Sequence, residues 1–454
     1  MHLHPRSFFR LALSLAGSAG LSAADWPQWQ GPQRDGVWRE NGIVDTFPAG
    51  GPPVRWRTPI GAGYSSPVVA NGRVVLTDRP DSSTRGNTGN ALSRTAETGR
   101  ERILCLNEAD GRVLWEYEYD CPYNISYPSG PRACPTFDGP RVYTVGAEGN
   151  LHCLEVATGK VIWARDFKKD HGARTQLWGF AGAPLIDGHR LICVVGGEHQ
   201  TVVAFDKETG RELWSALPPH EPGYSSPVII EAGGARQLIV WDAETLNGLD
   251  PATGKVFWSV PFKTKLGHAI GTPRKSGDFL FVSAFFDGSK LLRLDPAQPA
   301  ATEVWSLKGP NESRAEGLHS LMGTPFLENG YIYGVCSFGQ LRCLKMATGE
   351  RVWETLAPTT ADGKPARWVT AFLVKHEDRF FIYNEKGDLI IARLSPAGYE
   401  EVSRTHLLKP TNKAGARAVH WSHPAFAHRS VYVRNDQEII CVDLRAAGAV
   451  SGRR

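Results

Sequence analysis

Residues 53 to 444 read as a succession of short apolar runs, roughly four to eight residues each, broken by Gly, Pro, Asn and Asp. Around residue 150 the pattern is cleanest: PTFDG, RVYTVGA, NLHCLEV and KVIWARD follow one another with the alternating or buried pattern of strands, labelled A to D. Gly149-Asn150, Gly339-Gln340 and Gly387-Asp388 predict tight B–C hairpins, because Gly supplies the positive φ such turns need. A helical reading fails, since the runs are too short and too rich in Gly and β-branched residues.

One phrase closes most of these units. LNEADGRVLW ends at Trp115, LEVATGKVIW at Trp163, FDKETGRELW at Trp214, LDPATGKVFW at Trp258 and LKMATGERVW at Trp353. Two copies are degraded: LDPAQPAATEVW before Trp305, and LSPAGYEEV near residue 402, whose Trp-less equivalent falls around Ser403. From Trp56 to Trp353 the tryptophans stand 44 to 59 residues apart. A period of about 40 to 50 residues marks a propeller or a solenoid. In the T-G turn a polar residue hydrogen-bonds locally while Gly takes the left-handed position. The Trp that follows on strand D offers a large flat ring for the wedge between neighbouring sheets.

Eight inner-strand signals can be counted: SSPVVANG (65–72), CPTFDG (134–139), GAPLIDG (182–188), SSPVII (225–230), GTPRKSG (271–277), GTPFLENG (323–330), TAFLVKH (370–376) and SHPAFAH (422–428). The last repeat stops after its strand C at CVDL (441–444), whereas PVRWRTPI (53–60) is a strand D without its own A, B and C. The expectation is all-β: an eight-bladed β-propeller of four-stranded antiparallel blades. The N-terminal strand completes the last blade and so hides the edges of an open array.

The flanks divide the chain further. Arg6 and Arg10, the apolar LALSLAGSAGL (11–21) and the small residues Ser22-Ala23-Ala24 predict a signal peptide over 1–24. No Cys follows it to carry a lipid, and no later run reaches the roughly 20 apolar residues of a membrane span. A lead-in over 25–52, the propeller over 53–446 and a tail over 447–454 complete the division, and export predicts a periplasmic or extracellular protein. The formal charge of +4 over 454 residues carries no electrostatic footprint for nucleic acid.

The small-Pro strand A and the D-x-x-T-G-x-x-x-W phrase resemble the pyrroloquinoline quinone (PQQ) repeat. That repeat is shared by quinoprotein alcohol dehydrogenases and by the BamB-type scaffold lipoprotein of outer-membrane barrel assembly. The opening DWPQWQGPQRDGV (25–37) is similar to the lead-in of secreted members of this family. The resemblance spans roughly residues 53 to 444 and implies the fold; the repeat itself is structural. A dehydrogenase of this type implies PQQ with Ca²⁺, a carboxylate base and two adjacent cysteines over the cofactor. No Cys-Cys pair exists here, and no Glu, Asn and Asp set can be placed by motif.

Cys105, Cys153, Cys343 and Cys441 share one strand C position, occupied elsewhere by Ala204, Gly248, Arg293 or Ala392, and read as small packing residues. An oxidising compartment allows two disulfides, Cys121–Cys134 across one loop and Cys336–Cys343 across the Gly339-Gln340 hairpin, leaving Cys193 single. There is no phosphate loop, nucleophile elbow or H-E-x-x-H helix. His420 and His423 lie three apart on a chain entering a strand, a spacing that defines no metal pair.

The two faces of the propeller differ. C–D turns are short and repetitive, whereas D–A connections vary, and the B–C connection 79–102 is a long polar insertion on the same face. Variable loops on a repetitive scaffold are where binding concentrates. Alignment on the strand A Pro places Tyr64, Tyr224 and Trp421 at equivalent positions beside the axis. Arg132, Phe180, His268, His319, Arg367, Trp368 and His420 fall within three residues of that ring. The expectation is a noncatalytic binding or scaffold propeller, with no cofactor, engaging a protein partner or small ligand at the D–A loop face. The alternative is a PQQ-dependent oxidoreductase.

Overall fold

A computed structural model describes residues 24–82, 90–360 and 363–446. The expected signal peptide (but for Ala24), the middle of the 79–102 connection and the expected tail lie outside the described residues. In blade two, strand Thr136–Asp138 pairs with Arg141–Val145, that strand with Asn150–Glu155, and the latter with Val161–Asp166. Gly149 at φ +91° turns the B–C hairpin, and Gly159 at φ +75° turns the C–D hairpin. The same four-stranded antiparallel unit occurs eight times. In the last, Val54–Pro59 is the outer strand, paired to Glu438–Asp443 with Trp56 opposite Cys441. The N-terminal strand therefore closes the ring.

All but one of the strand D tryptophans reach into the next blade. Indole Nε1 of Trp56, Trp115, Trp163, Trp305 and Trp353 donates to the carbonyls of Glu108, Val156, Lys207, Met346 and Ser395 at 2.8–3.0 Å. Beneath the rings of Trp56, Trp115, Trp163 and Trp214 lie Gly111, Gly159, Gly210 and Gly254, where a β-carbon would come within 2.5–2.6 Å of the indole. The glycine of the repeat phrase thus serves the neighbour's tryptophan as well as its own turn. Blade five, with its degraded phrase, lacks that glycine. Trp258 instead folds over Gly248 of its own strand C and donates to Gln237 Oε1 at 2.6 Å.

Cys105, Cys153, Cys343 and Cys441 stand opposite Trp115, Trp163, Trp353 and Trp56, and all are buried. Two of the expected equivalents are offset: Trp305 faces Leu291 rather than Arg293, and Ser403 faces Ile391 rather than Ala392. Neither expected disulfide forms, and all eight cysteines are free. The hairpin register puts Cys343 opposite Tyr333, while the Cys336 amide bonds the Gln340 carbonyl, so the two side chains are not cross-strand partners. Cys121 packs with Tyr123 and Ile125 on the connection, whereas Cys134 packs with Val68 and Phe137 inside the ring.

The lead-in lies across the axis. Trp26 pairs with Val69 of blade one, and the Pro27 carbonyl accepts from Phe137 of blade two. Arg34 donates to the Ala183 and Pro184 carbonyls of blade three. Trp29 donates to Thr272 of blade five and Gln30 to Thr324 of blade six. Val37 bridges Lys375 of blade seven, and Trp26 meets Phe426 of blade eight. These contacts fall on or just before the inner strands of seven blades, and the segment plugs the channel. Arg34 and Arg274 are buried in this plug, and desolvation lowers both to about 10. Arg274 donates to the Arg34 carbonyl and to Gln30 Oε1, so the acceptors of the two guanidinium groups are carbonyl oxygens rather than carboxylates.

Candidate functional site: the channel mouth

With one end plugged, the channel is a blind cavity of about 200 Å³ opening on the D–A loop face. Each of the eight D–A connections reaches it: Tyr64, Arg132, Trp178, Tyr224, His268, Met322, Trp368 and Trp421 come from successive blades. Trp29 of the plug contributes from below, and Ala91 and Leu92 of the long B–C connection line it from above. That connection spans 79–99, since strand C already begins at Arg100, and its Thr95–Glu97 pairs with Tyr123–Ile125.

Six of the ten residues placed near the axis from sequence line the cavity: Tyr64, Arg132, Tyr224, His268, Trp368 and Trp421. The other four do not. Phe180 is core, edge-on to Phe167 behind Gly149. His319 is buried between the carbonyls of Phe285 and Lys308. His420 lies between the carbonyls of Leu408 and Arg434 at 3.0 and 3.2 Å, and burial pushes it down to about 4. Arg367 is exposed above the cavity, its guanidinium 4.9 Å from the centre of the Trp368 ring and paired with Glu312.

The walls are aromatic and mutually braced. Trp178 packs on His268 at 4.5 Å between centroids, and His268 stacks on Phe286 at 4.9 Å. Trp421 meets Tyr127 at 5.2 Å and Tyr64 at 6.4 Å. Two mouth residues, Tyr127 and Trp368, sit at φ +53° and +68°, a left-handed conformation that bulky residues rarely adopt and that concentrates at ligand clamps.

The polar inventory is skewed towards donors. Arg132 gives three N–H groups to the carbonyls of Gly130, Ser126 and Tyr127, leaving two of its five. Burial pushes the phenols of Tyr64 and Tyr224 up, so they stay protonated. Ser226 Oγ accepts from the Ala183 amide, which leaves its own proton to give. His423 donates Nδ1–H to the Pro424 carbonyl at 2.7 Å, so its Nε2 is an acceptor. His268 Nδ1 is buried without a partner, and Nε2 is the ring nitrogen left to the cavity. Burial holds both imidazoles at about 4, hence neutral at pH 7. Among the described residues lining the cavity there is no carboxylate, and Arg132 is the one charged side chain. Glu385 stands behind the wall, engaged by Arg417 and by the Trp421 indole.

Fold and repeat together define a PQQ-type repeat β-propeller. A family model described as outer membrane protein assembly factor BamB matches residues 99–232 and 198–451, well over half the chain, and the chain belongs to that family. It is 26% identical over 231 residues to the BamB of Nitrosomonas eutropha, covering 48% of this chain and 50% of that protein. To a quinohemoprotein alcohol dehydrogenase of Pseudomonas putida it is 25% identical over 166 residues, 31% of this chain and 22% of that one. This chain therefore spans half or less of the length of these curated relatives. The solved quinohemoprotein alcohol dehydrogenase of Comamonas testosteroni superposes with a TM-score of 0.57 at 12% identity, over 95% of this chain and 82% of that one, a likeness of fold.

Proposed function

We propose that the chain is an exported, noncatalytic binding propeller whose ligand site is the blind channel mouth on the D–A loop face. The observation that carries this reading is the cavity itself: eight loops of unequal sequence converge on it, yet hydrogen-bonding atoms of Arg132, Tyr224, Ser226, His268 and His423 remain unengaged. Folding alone rewards satisfied polar groups, so free ones gathered in an aromatic cavity favour a ligand. The family's description as an assembly factor also supports a protein partner at this face, and exposed Leu92 beside the mouth favours that second reading.

The quinone cofactor of the dehydrogenase relatives does not fit these residues. Ca²⁺ takes six to eight oxygen ligands, carboxylates foremost. The described lining residues supply no carboxylate, and no two cysteines are adjacent in the chain. No catalytic step through such a group follows.

The test is native mass spectrometry of the mature protein purified from its own cell envelope. Expected are cleavage after Ala24 and a bound small molecule that disappears in a Trp178→Ala/Trp421→Ala variant with near wild-type melting. Saturable dye reduction with PQQ, Ca²⁺ and alcohols, abolished by the same variant, overturns the noncatalytic reading.

A further inference from the structure

The cavity's chemistry narrows what it holds, given that the mouth is a ligand site at all. Volume sets the first limit: a cavity of roughly 150 Å³ holds benzene, so about 200 Å³ encloses one ring with a substituent, and anything larger must extend out through the mouth. Shape sets the second. Trp29, Trp178, Trp368, Trp421, Tyr64 and Tyr127 offer ring faces and edges on several sides, which suits a flat ring. Charge sets the third, because a cation would meet Arg132 and no carboxylate, whereas an acid group would meet the two N–H groups Arg132 has left. The free protons of Ser226 and Tyr224 add further donors for oxygen acceptors.

We infer that the channel mouth binds a single-ring aromatic acid, its ring between the tryptophans and its carboxylate on Arg132. Selectivity follows from the single guanidinium. A charge-assisted hydrogen bond exceeds a neutral one by roughly a factor of two in strength, and in a partly desolvated cavity the uncharged analogue forfeits that difference. The phenols of Tyr64 and Tyr224 in the cavity wall remain neutral at pH 7 and do not repel the acid.

The test uses the full mature chain with 4-hydroxybenzoate and its uncharged amide at pH 7, followed by calorimetry and by quenching of the wall tryptophans. Expected is tighter binding of the acid by about tenfold or more, equivalent to about 1.4 kcal/mol. That ratio should fall to near one in Arg132→Gln and persist in Arg132→Lys. The wild-type ratio stands as a test even if a variant misfolds. Equal affinity for acid and amide overturns the acid assignment while leaving the mouth a ligand site. Binding of neither probe overturns it too, and the co-purified adduct then decides whether the broader reading survives.

Discussion

Gly159 lies so close beneath the indole of Trp115 that a β-carbon there would stand 2.6 Å from the ring, and its φ is +75°. Gly188 turns the A–B hairpin of blade three at φ +60° with nothing within 4 Å. Gly188→Ala should therefore cost only the left-handed backbone penalty of about 1–2 kcal/mol. Gly159→Ala adds overpacking of about 1–3 kcal/mol. Trp163→Ala, which removes a buried ring and its bond to Lys207, should cost about 3–5 kcal/mol. Trp353→Ala should cost less, since that ring is partly exposed and Gly398 of the next turn has no side chain within 4 Å. Urea titrations rank the four; equal losses at Gly159 and Gly188 would contradict the interblade contact.

Arg34 ties the plug to blade three through two carbonyls at 2.9 and 3.1 Å and is buried with them. Arg34→Ala strands the Ala183 carbonyl away from water, worth roughly 1–3 kcal/mol, while the Pro184 carbonyl keeps the Thr136 hydroxyl at 2.8 Å. The expected result is a loss of about 1–3 kcal/mol with faster amide exchange in residues 26–38. Unchanged exchange there would mean that the lead-in holds its place without this arginine.

His428 bridges Asp25 of the lead-in and Glu108 of the first C–D turn, each at 3.2 Å. The carboxylates of Asp25 and then Glu108 push its pKa up to about 10, against opposing burial. The folded value lies above the unfolded value of about 6.5, so the contribution is complete below about pH 6.5 and is lost as pH rises through 10. The stability gap between wild type and His428→Gln should accordingly shrink between pH 7 and pH 10. A gap that stays constant across that window would count against a protonated bridge.

The fold was legible because its units repeat: the phrase ending in Trp, the strand A Pro and the unpaired strand at residues 53–60 each map to observed elements. The site was legible only where it obeys the repeat. Tyr64, Tyr224 and Trp421 hold equivalent positions before strand A, and all three line the cavity. His319 and His420 are as near in sequence, yet their rings turn back to bridge loop carbonyls, an orientation that spacing does not encode. Trp178, Tyr127 and Phe286 come from connections of unequal length, and Trp29 comes from outside the repeats, so alignment could not find them. The Trp29 signal was present in DWPQWQGPQRDGV, whose aromatic and Arg content exceeds what a linker needs.

Arg79 is the point at which the long B–C connection is fastened to the propeller. Fully buried, it donates to the Cys121 carbonyl at 2.8 Å and the Glu97 carbonyl at 3.2 Å, and its guanidinium lies 3.8 Å from the centre of the Tyr123 ring. Gly99 at φ +144° is kept free of a side chain by the same guanidinium, 2.8 Å from where a β-carbon would sit. The fastening holds the two-stranded ribbon of Thr95–Glu97 and Tyr123–Ile125, and with it the Ala91 and Leu92 edge of the mouth. The ribbon is only three residues long on each side, too short to persist unsupported. Arg79→Ala should therefore release the ribbon while the eight blades keep their own hydrogen bonds. Expected is amide exchange accelerated by at least tenfold at 95–97 and 123–125, faster proteolysis within 90–99, and little change at Val142–Val145 or Ile390–Ala392. Acceleration spread evenly through all blades would instead make Arg79 part of the ring's common core, with the connection held by other contacts.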